Sequence, residues 1–178
     1  MEQPGRVIVM KVGVHLSEPW EAIVGRKLEE ERAAGIAYWG YGGSVCHPFT
    51  QVQPFAEQGS PITVLMIRTV SDFLGSSTPA VAASRDGTSW EPIPRGVMTS
   101  GRYALILRSL RETTEELDLG AYEVAIGPKI GTPLASYLRR RVDKACARLT
   151  PTPLVSDRRS VVVRADLVAP FAVLLKTI

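Results

Sequence analysis

"TPLASYLRRRVDKACARL", residues 132–149, is the segment on which the fold class turns. Thr132 stands where an N-cap belongs and Pro133 where a first helical residue belongs. Leu134, Leu138, Val142, Ala145 and Leu149 then recur along one side of a helical period. Read on that period, the segment is the clearest helix in the chain. Its outer side carries Tyr137, Arg141, Lys144 and Arg148 at i, i+4, i+7 and i+11, with Arg139 and Arg140 beside them. Such a basic side can follow a nucleic-acid backbone, although a solvated helix exterior is the plainer reading.

Immediately upstream, "AIGPKIGTPL" (125–134) runs a strand into Gly127 and Gly131, with Lys129 between them. A glycine turn opening a helix can aim backbone N–H groups at a phosphate, helped by the helix dipole. The Gly-x-x-x-x-Gly-Lys-[Ser/Thr] spacing of a Walker loop is absent.

Working outward, "RVIVMKVGVHL" (6–16) is β-branched and bounded by turn residues, which predicts a buried strand. "SEPWEAIVGRKLEEERAAG" (17–35) predicts a helix capped by Ser17, with Pro19 in its first turn and Trp20, Val24 and Leu28 four apart. Gly25 is a point where that helix can end. "PFTQVQPFAEQG" (48–59) reads as a loop or a short helix interrupted at Pro54, and "PITVLMIRTV" (61–70) as a strand. Asp86-Gly87 marks a hairpin with Trp90 beside its turn. "RYALILRSL" (102–110) and "AYEVAIG" (121–127) are further strands. "RRSVVVRAD" (158–166) and "FAVLLK" (171–176) close the chain as two strands parted by Pro170. The expected fold is α+β, a strand-rich mixed sheet with two long helices near the chain ends. It forms a single domain over 1–178 with a turn-rich hairpin insertion at about 71–100.

With 178 residues, 45% hydrophobic and 22% charged, the chain has a globular composition and can bury a core without disulfides. No apolar run approaches the ~18 residues of a spanning helix, and "MEQPGR" lacks a signal pattern. A cytoplasmic protein without a membrane partner is expected. Two cysteines, Cys46 and Cys146, fit a reducing compartment, and a net charge of +3 suits an anionic partner without requiring one.

The densest chemistry lies in "IAYWGYGGSVCHP" (36–48). Tyr38, Trp39 and Tyr41 alternate along a strand that runs into Gly42-Gly43, followed by Ser44, Cys46 and His47. Glycines let a flat ligand approach the main chain, and a ring stacked on a base is worth ~1–3 kcal/mol. Ser44 and His47 can add hydrogen bonds at a base edge. The competing reading packs the rings into the core. Cys46 with His47, or with His15, is a candidate nucleophile and base, but no third orienting group can be assigned. Two histidines would need carboxylates such as Glu18 or Glu57 to complete a metal site, and no ligand spacing supports one. No cofactor is expected.

Gly25, Lys27, Glu30 and Arg32 form a Gly-x-Lys-x-x-Glu-x-Arg pattern preceded by Pro19-Trp20. Over residues 17–32 this is similar to the ASCH group of the PUA-like superfamily. The resemblance implies a PUA-like barrel whose cleft receives RNA or a nucleotide, and some members hydrolyse modified nucleosides using the lysine. Lys27 and Glu30 are then the catalytic positions and Arg32 an anion contact.

The first functional reading is therefore a nucleotide- or nucleic-acid-binding domain, for RNA, a modified base or a signalling nucleotide. Its ligand residues are Tyr38, Trp39, Tyr41, Gly42, Gly43, Ser44, His47, Arg32 and Lys129. The second is a nucleoside hydrolase using Lys27 and Glu30, in which Lys27→Ala abolishes turnover without unfolding the chain. The third is an interaction or inhibitor protein acting as a homo-oligomer through the aromatic loop.

Overall fold

The computed structural model describes residues 3–15, 17–42, 47–59, 61–73 and 78–177. In chain order they form β1 (Arg6–His15), α1 (Trp20–Ala34), β2 (Ala37–Tyr41), α2 (Phe49–Glu57), β3 (Thr63–Phe73), β4 (Ala80–Ser84) and β5 (Glu91–Pro92). There follow β6 (Tyr103–Glu112), β7 (Glu116–Asp118), β8 (Tyr122–Val124), α3 (Leu134–Leu138), β9 (Lys144–Leu149) and β10 (Arg158–Thr177). This is an α+β fold built on one ten-stranded mixed sheet, with main order β2-β6-β10-β3-β1-β9-β8. β1 and β3 run parallel, while the other neighbours in that order are antiparallel. No ladder joins β2 to β8 among the described residues, so the sheet is not a closed barrel.

Both faces of the central strands are buried because β1 and β3 alternate apolar residues without a polar side. Ile8, Met10, Val64 and Met66 face one cluster, and Val7, Val9, Leu65 and Ile67 face another. The first cluster also takes Trp39 and Tyr41 from β2 and Cys146 from β9. β6, β10, β3 and β1 stand between those two strands in the sheet order, so the sheet curls until its two margins share one interior. α2 fills that interior with Phe49, Val52 and Phe55, each worth about 1.5–3 kcal/mol on burial. Pro54 does not interrupt the helix. It stands on the exposed side, as does Thr50, whose carbonyl loses its usual helical donor.

α1 continues through Gly25 and ends at Gly35, whose φ of 80° lets its N–H reach the Glu31 carbonyl at 2.7 Å. Its N-cap is Pro19 rather than Ser17, which instead adopts a φ of 69°. The Asp86-Gly87 hairpin forms as expected: β4 pairs with β5, and Asp86 Oδ1 accepts from the Thr88 and Ser89 N–H groups at 2.8 Å. The two closing strands are halves of one element, β10. Its register against β6 shifts between Leu167 and Ala172, across Pro170.

The largest correction falls on 132–149. Helix occupies Leu134–Leu138 only, and Lys144–Leu149 is a strand between β1 and β8. Among the described residues there is one long helix, α1, and not two. β9 completes hydrogen bonds that the backbones of β1 and β8 would otherwise lack, and that ladder outweighs a weak helical preference. Its residues also suit a two-faced strand, with Ala145 and Ala147 entering one cluster and Cys146 the other. The basic helix side therefore does not exist: Tyr137 and Lys144 are buried, while Arg139, Arg140 and Arg141 form an exposed connection.

Two glycines make opposite predictions. A Cβ on Gly40 would lie 1.9 Å from the Ser100 carbonyl oxygen, a backbone atom that cannot yield, so Gly40→Ala should cost more than ~2 kcal/mol. A Cβ on Gly25 meets open space inside a helix, so Gly25→Ala should add up to ~1 kcal/mol. Urea denaturation of the two variants checks both signs.

Candidate functional site

Lys27 and Glu30 lie on the buried side of α1, each only 4% exposed. Their spacing of three on a helix lets the ammonium and carboxylate meet at 3.0 Å. Glu30 accepts the N–H groups of Tyr38 at 2.8 Å and Met98 at 3.2 Å. Lys27 donates to the carbonyl oxygens of the same two residues, Tyr38 and Met98. The pair thus supplies both a donor and an acceptor to two extended backbones, as an inserted strand residue would. One of those backbones is β2, on the side away from β6. Burial lowers the Lys27 pKa, and the Glu30 charge opposes that shift. With these partners made, the polar atoms of the pair act on the protein's own backbone. Arg32, one turn on, is exposed and paired with Glu29.

The three rings of β2 are buried on both faces of the strand. Tyr38 packs with Ile106, Val173 and Leu175, while Trp39 and Tyr41 enter the α2-filled interior. Lys129 is exposed, but the turn that carries it is no phosphate cradle. Ile130 N–H bonds the Gly127 carbonyl, Gly131 N–H that of Val124, and Thr132 N–H that of Lys129, so the amides are already engaged. The helix after it has five residues and contributes little dipole. Gly43, Ser44 and Cys46 lie outside the described residues, and with Cys46 the Cys46/His15 and Cys46/His47 pairings.

Gly42 and His47 come together with residues that the helical reading of 132–149 had placed elsewhere. Lys144, fully buried, donates to the His47 carbonyl at 3.2 Å, and its Nζ lies 3.3 Å from the centroid of the Tyr41 ring. The neighbouring Asp143 carboxylate lies near the backbone N–H groups of Gly42, Lys144 and Asp143 itself. Burial raises the Asp143 pKa, and the Lys144 charge and these N–H groups only partly oppose that rise. The His47 ring stacks on Tyr137 with centroids 5.9 Å apart and planes 3° from parallel. On another side stands Gly127, where an added Cβ would meet His47 Nδ1 at 3.6 Å and Gln51 Oε1 at 3.2 Å. Burial first, and then the Lys144 charge, push the His47 pKa down to about 4, so the imidazole is neutral at pH 7. His47 Nε2 and Asp143 Oδ1 are buried without a hydrogen-bond partner among the described residues.

The chain between Gly127, which lies beside His47, and Asp143 is cationic. The run 127–142 carries Lys129, Arg139, Arg140 and Arg141 and no carboxylate. Arg102 adjoins Gly42 from the start of β6, its Cβ 3.6 Å from where a Gly42 Cβ would sit. All five side chains are exposed, and none forms an ion pair among the described residues, whereas Arg26, Arg32, Arg148, Arg158, Arg159 and Arg164 are each paired with a carboxylate.

No family model, curated protein or solved structure matches this chain. Among the described residues there is no group of three or more histidine, cysteine or carboxylate side chains placed to hold a metal ion, and no helix long and apolar enough to cross a membrane. Asp143, Gln51 and Arg102 are the site residues that sequence reading missed. Asp143 carried no signal beyond an acid following three arginines.

Removing one member of a buried ion pair strands the other. Lys27→Met should therefore cost about 3–5 kcal/mol in a urea titration, so loss of function in this variant would accompany loss of fold. His47 predicts a pH effect of definite sign. The unfolded chain protonates near pH 6.5 and the folded one only near 4, so the histidine's contribution to stability falls as pH drops through that window, by on the order of 3 kcal/mol. Asp143, with its raised pKa, acts in the opposite direction but is common to both proteins when wild type is compared with His47→Gln. The variant should show a flatter melting temperature between pH 6.5 and 4.

Proposed function

We propose that the protein binds nucleic acid through its phosphate backbone, at the margin where Gly42 and His47 meet the 127–142 run. The observation that carries this reading is a set of exposed cations without an ion pair among the described residues: Arg102 beside the exposed Gly42, and Lys129, Arg139, Arg140 and Arg141 in the run between Gly127 and Asp143. Six arginines elsewhere pair with a carboxylate among the described residues, whereas here four unpaired cations fall within the thirteen residues 129–141. A polyanion releases counterions when it meets such a surface, and arginine binds phosphate oxygens through a planar fork.

Burial of Tyr38, Trp39 and Tyr41 narrows the ligand class. With those three rings buried, β2 offers no stacking platform, so charge rather than base identity carries the recognition at this margin. That favours a strand or duplex with several phosphates over a single nucleotide or a modified base.

Fluorescence anisotropy with labelled single-stranded RNA, and with a duplex of the same length, tests the proposal across a salt series. The expected result is binding that weakens linearly in log–log form and differs little among homopolymer sequences. Each phosphate neutralised adds ~0.7–0.9 to the salt slope, so replacing Arg139, Arg140 and Arg141 together by alanine should reduce that slope by about 2–3. Salt-insensitive binding, or a triple variant that binds as the wild type does, would overturn the reading.

A further inference from the structure

His47 stands immediately before Pro48, the N-cap of α2, and α2 is anchored in the interior by Phe49, Val52 and Phe55. The Gln51 and Val52 N–H groups both bond the Pro48 carbonyl, at 2.9 and 3.2 Å, so the helix begins firmly behind the histidine. From β9 the Lys144 ammonium bonds the His47 carbonyl at 3.2 Å. The residue is thus fixed by its own helix and by the sheet, and it is only 4% exposed.

The cationic run lies against this ring at two places. Between β8, which ends at Val124, and β9, which begins at Lys144, the five-residue α3 is the only helix or strand among the described residues. A helix that short takes its shape from packing rather than from propensity. At the start of the run Gly127, with a φ of 79°, passes so close that an added Cβ would lie 3.6 Å from His47 Nδ1. Further on, the Tyr137 ring of α3 stacks on the imidazole, with centroids 5.9 Å apart and planes 3° from parallel. Arg139 follows α3 directly as its C-cap, and the Arg140 N–H bonds the Tyr137 carbonyl at 3.2 Å. The place of Tyr137 therefore sets where the arginine triplet begins. Nε2 of His47 is buried without a hydrogen-bond partner among the described residues, so what the imidazole offers these neighbours is a flat surface in a fixed position.

We infer that His47 is a positioning residue for the polyanion site: its ring pins the cationic run at Gly127 and Tyr137, and so sets where Lys129, Arg139, Arg140 and Arg141 stand before a phosphate backbone arrives. Cations held in advance spare the complex the cost of ordering a loose segment on binding. Buried as it is, the imidazole does not itself reach the ligand. The inference rests on the reading of the run as a phosphate-binding surface, but the pin can be tested without it.

The test uses the full chain as wild type, His47→Gln and His47→Phe, with Tyr137→Leu approaching the stack from its other member. Amide hydrogen exchange read by NMR compares Tyr137 and Arg140, whose N–H groups are bonded within the run, with the amides of β6. In His47→Gln the two run amides should exchange severalfold faster, and by a larger factor than β6. A purely global loss of stability would speed the β6 amides instead. RNA anisotropy over the same salt series then reads the effect on binding. His47→Gln and Tyr137→Leu should bind severalfold more weakly at every salt concentration with the wild-type slope, because no cation has been removed. His47→Phe, which keeps a flat ring, should recover most of that loss. Run amides that exchange in His47→Gln as in the wild type overturn the pin, as does RNA binding by that variant equal to that of the wild type. His47→Phe binding as weakly as His47→Gln overturns it too, because the flat ring would then not be what holds the run. A reduced slope in His47→Gln would make the histidine a phosphate contact and has the same consequence. If neither His47 variant folds, Tyr137→Leu decides by the same two measurements. If the wild type binds no RNA, the functional reading fails and amide exchange alone judges the pin.

Discussion

The buried pair of Lys27 and Glu30 is the interaction on which the arrangement of the site depends. β2 is five residues long and pairs with β6 on one side only, which leaves the backbone of Tyr38 facing away from the sheet. An unpaired edge inside a protein is costly in unmade hydrogen bonds, and outside it invites pairing with another chain. α1 solves this with two side chains one turn apart, which bond the Tyr38 N–H and carbonyl and repeat the same bonds to Met98. With β2 fixed in this way, Tyr41 enters the interior and Gly42 emerges at the surface. The motif that resembles a catalytic pattern in the sequence works in this fold as a substitute strand.

Curling of the sheet is the second requirement. A flat sheet in the observed order would leave β2 and β9 far apart, with β6, β10, β3 and β1 between them. Twist and the apolar side chains of α2 bring the margins together, so that a lysine on β9 lies over a tyrosine on β2. The margins meet through Lys144, which bonds the His47 carbonyl and lies over the Tyr41 ring, rather than by a ladder among the described residues. A closed barrel would have paired the backbone groups of the two margins with one another and left no carbonyl for a side chain to hold.

Much of the fold was legible locally. β1, β3 and β6 announce themselves by unbroken β-branched and apolar runs, α1 by its four-residue spacing, and the β4–β5 turn by Asp86-Gly87. In each case the neighbouring residues alone supply the deciding energy. The segment 132–149 misled because leucine, alanine and arginine are good helix formers and the apolar period was satisfied. What competes with that preference is a hydrogen-bond ladder to Arg6–Met10, more than a hundred residues earlier. Local pattern contains no record of it.

The site divides along the same line. The sequence by itself determined the ingredients: a glycine-ended aromatic strand, a histidine a few residues on, and an arginine run free of acids. It also determined that Lys27 and Glu30 would face one another on a helix, since that pairing needs only helical geometry. Tertiary structure alone decided which of these reach solvent and which meet. The rings of Tyr38, Trp39 and Tyr41 turned inward because both faces of the sheet are covered, a property of the whole molecule rather than of the strand. Lys144 met His47 only because the sheet curls and because β9 is a strand. Burial and long-range packing depend on what the rest of the chain places alongside, and no residue's own neighbours carry that information.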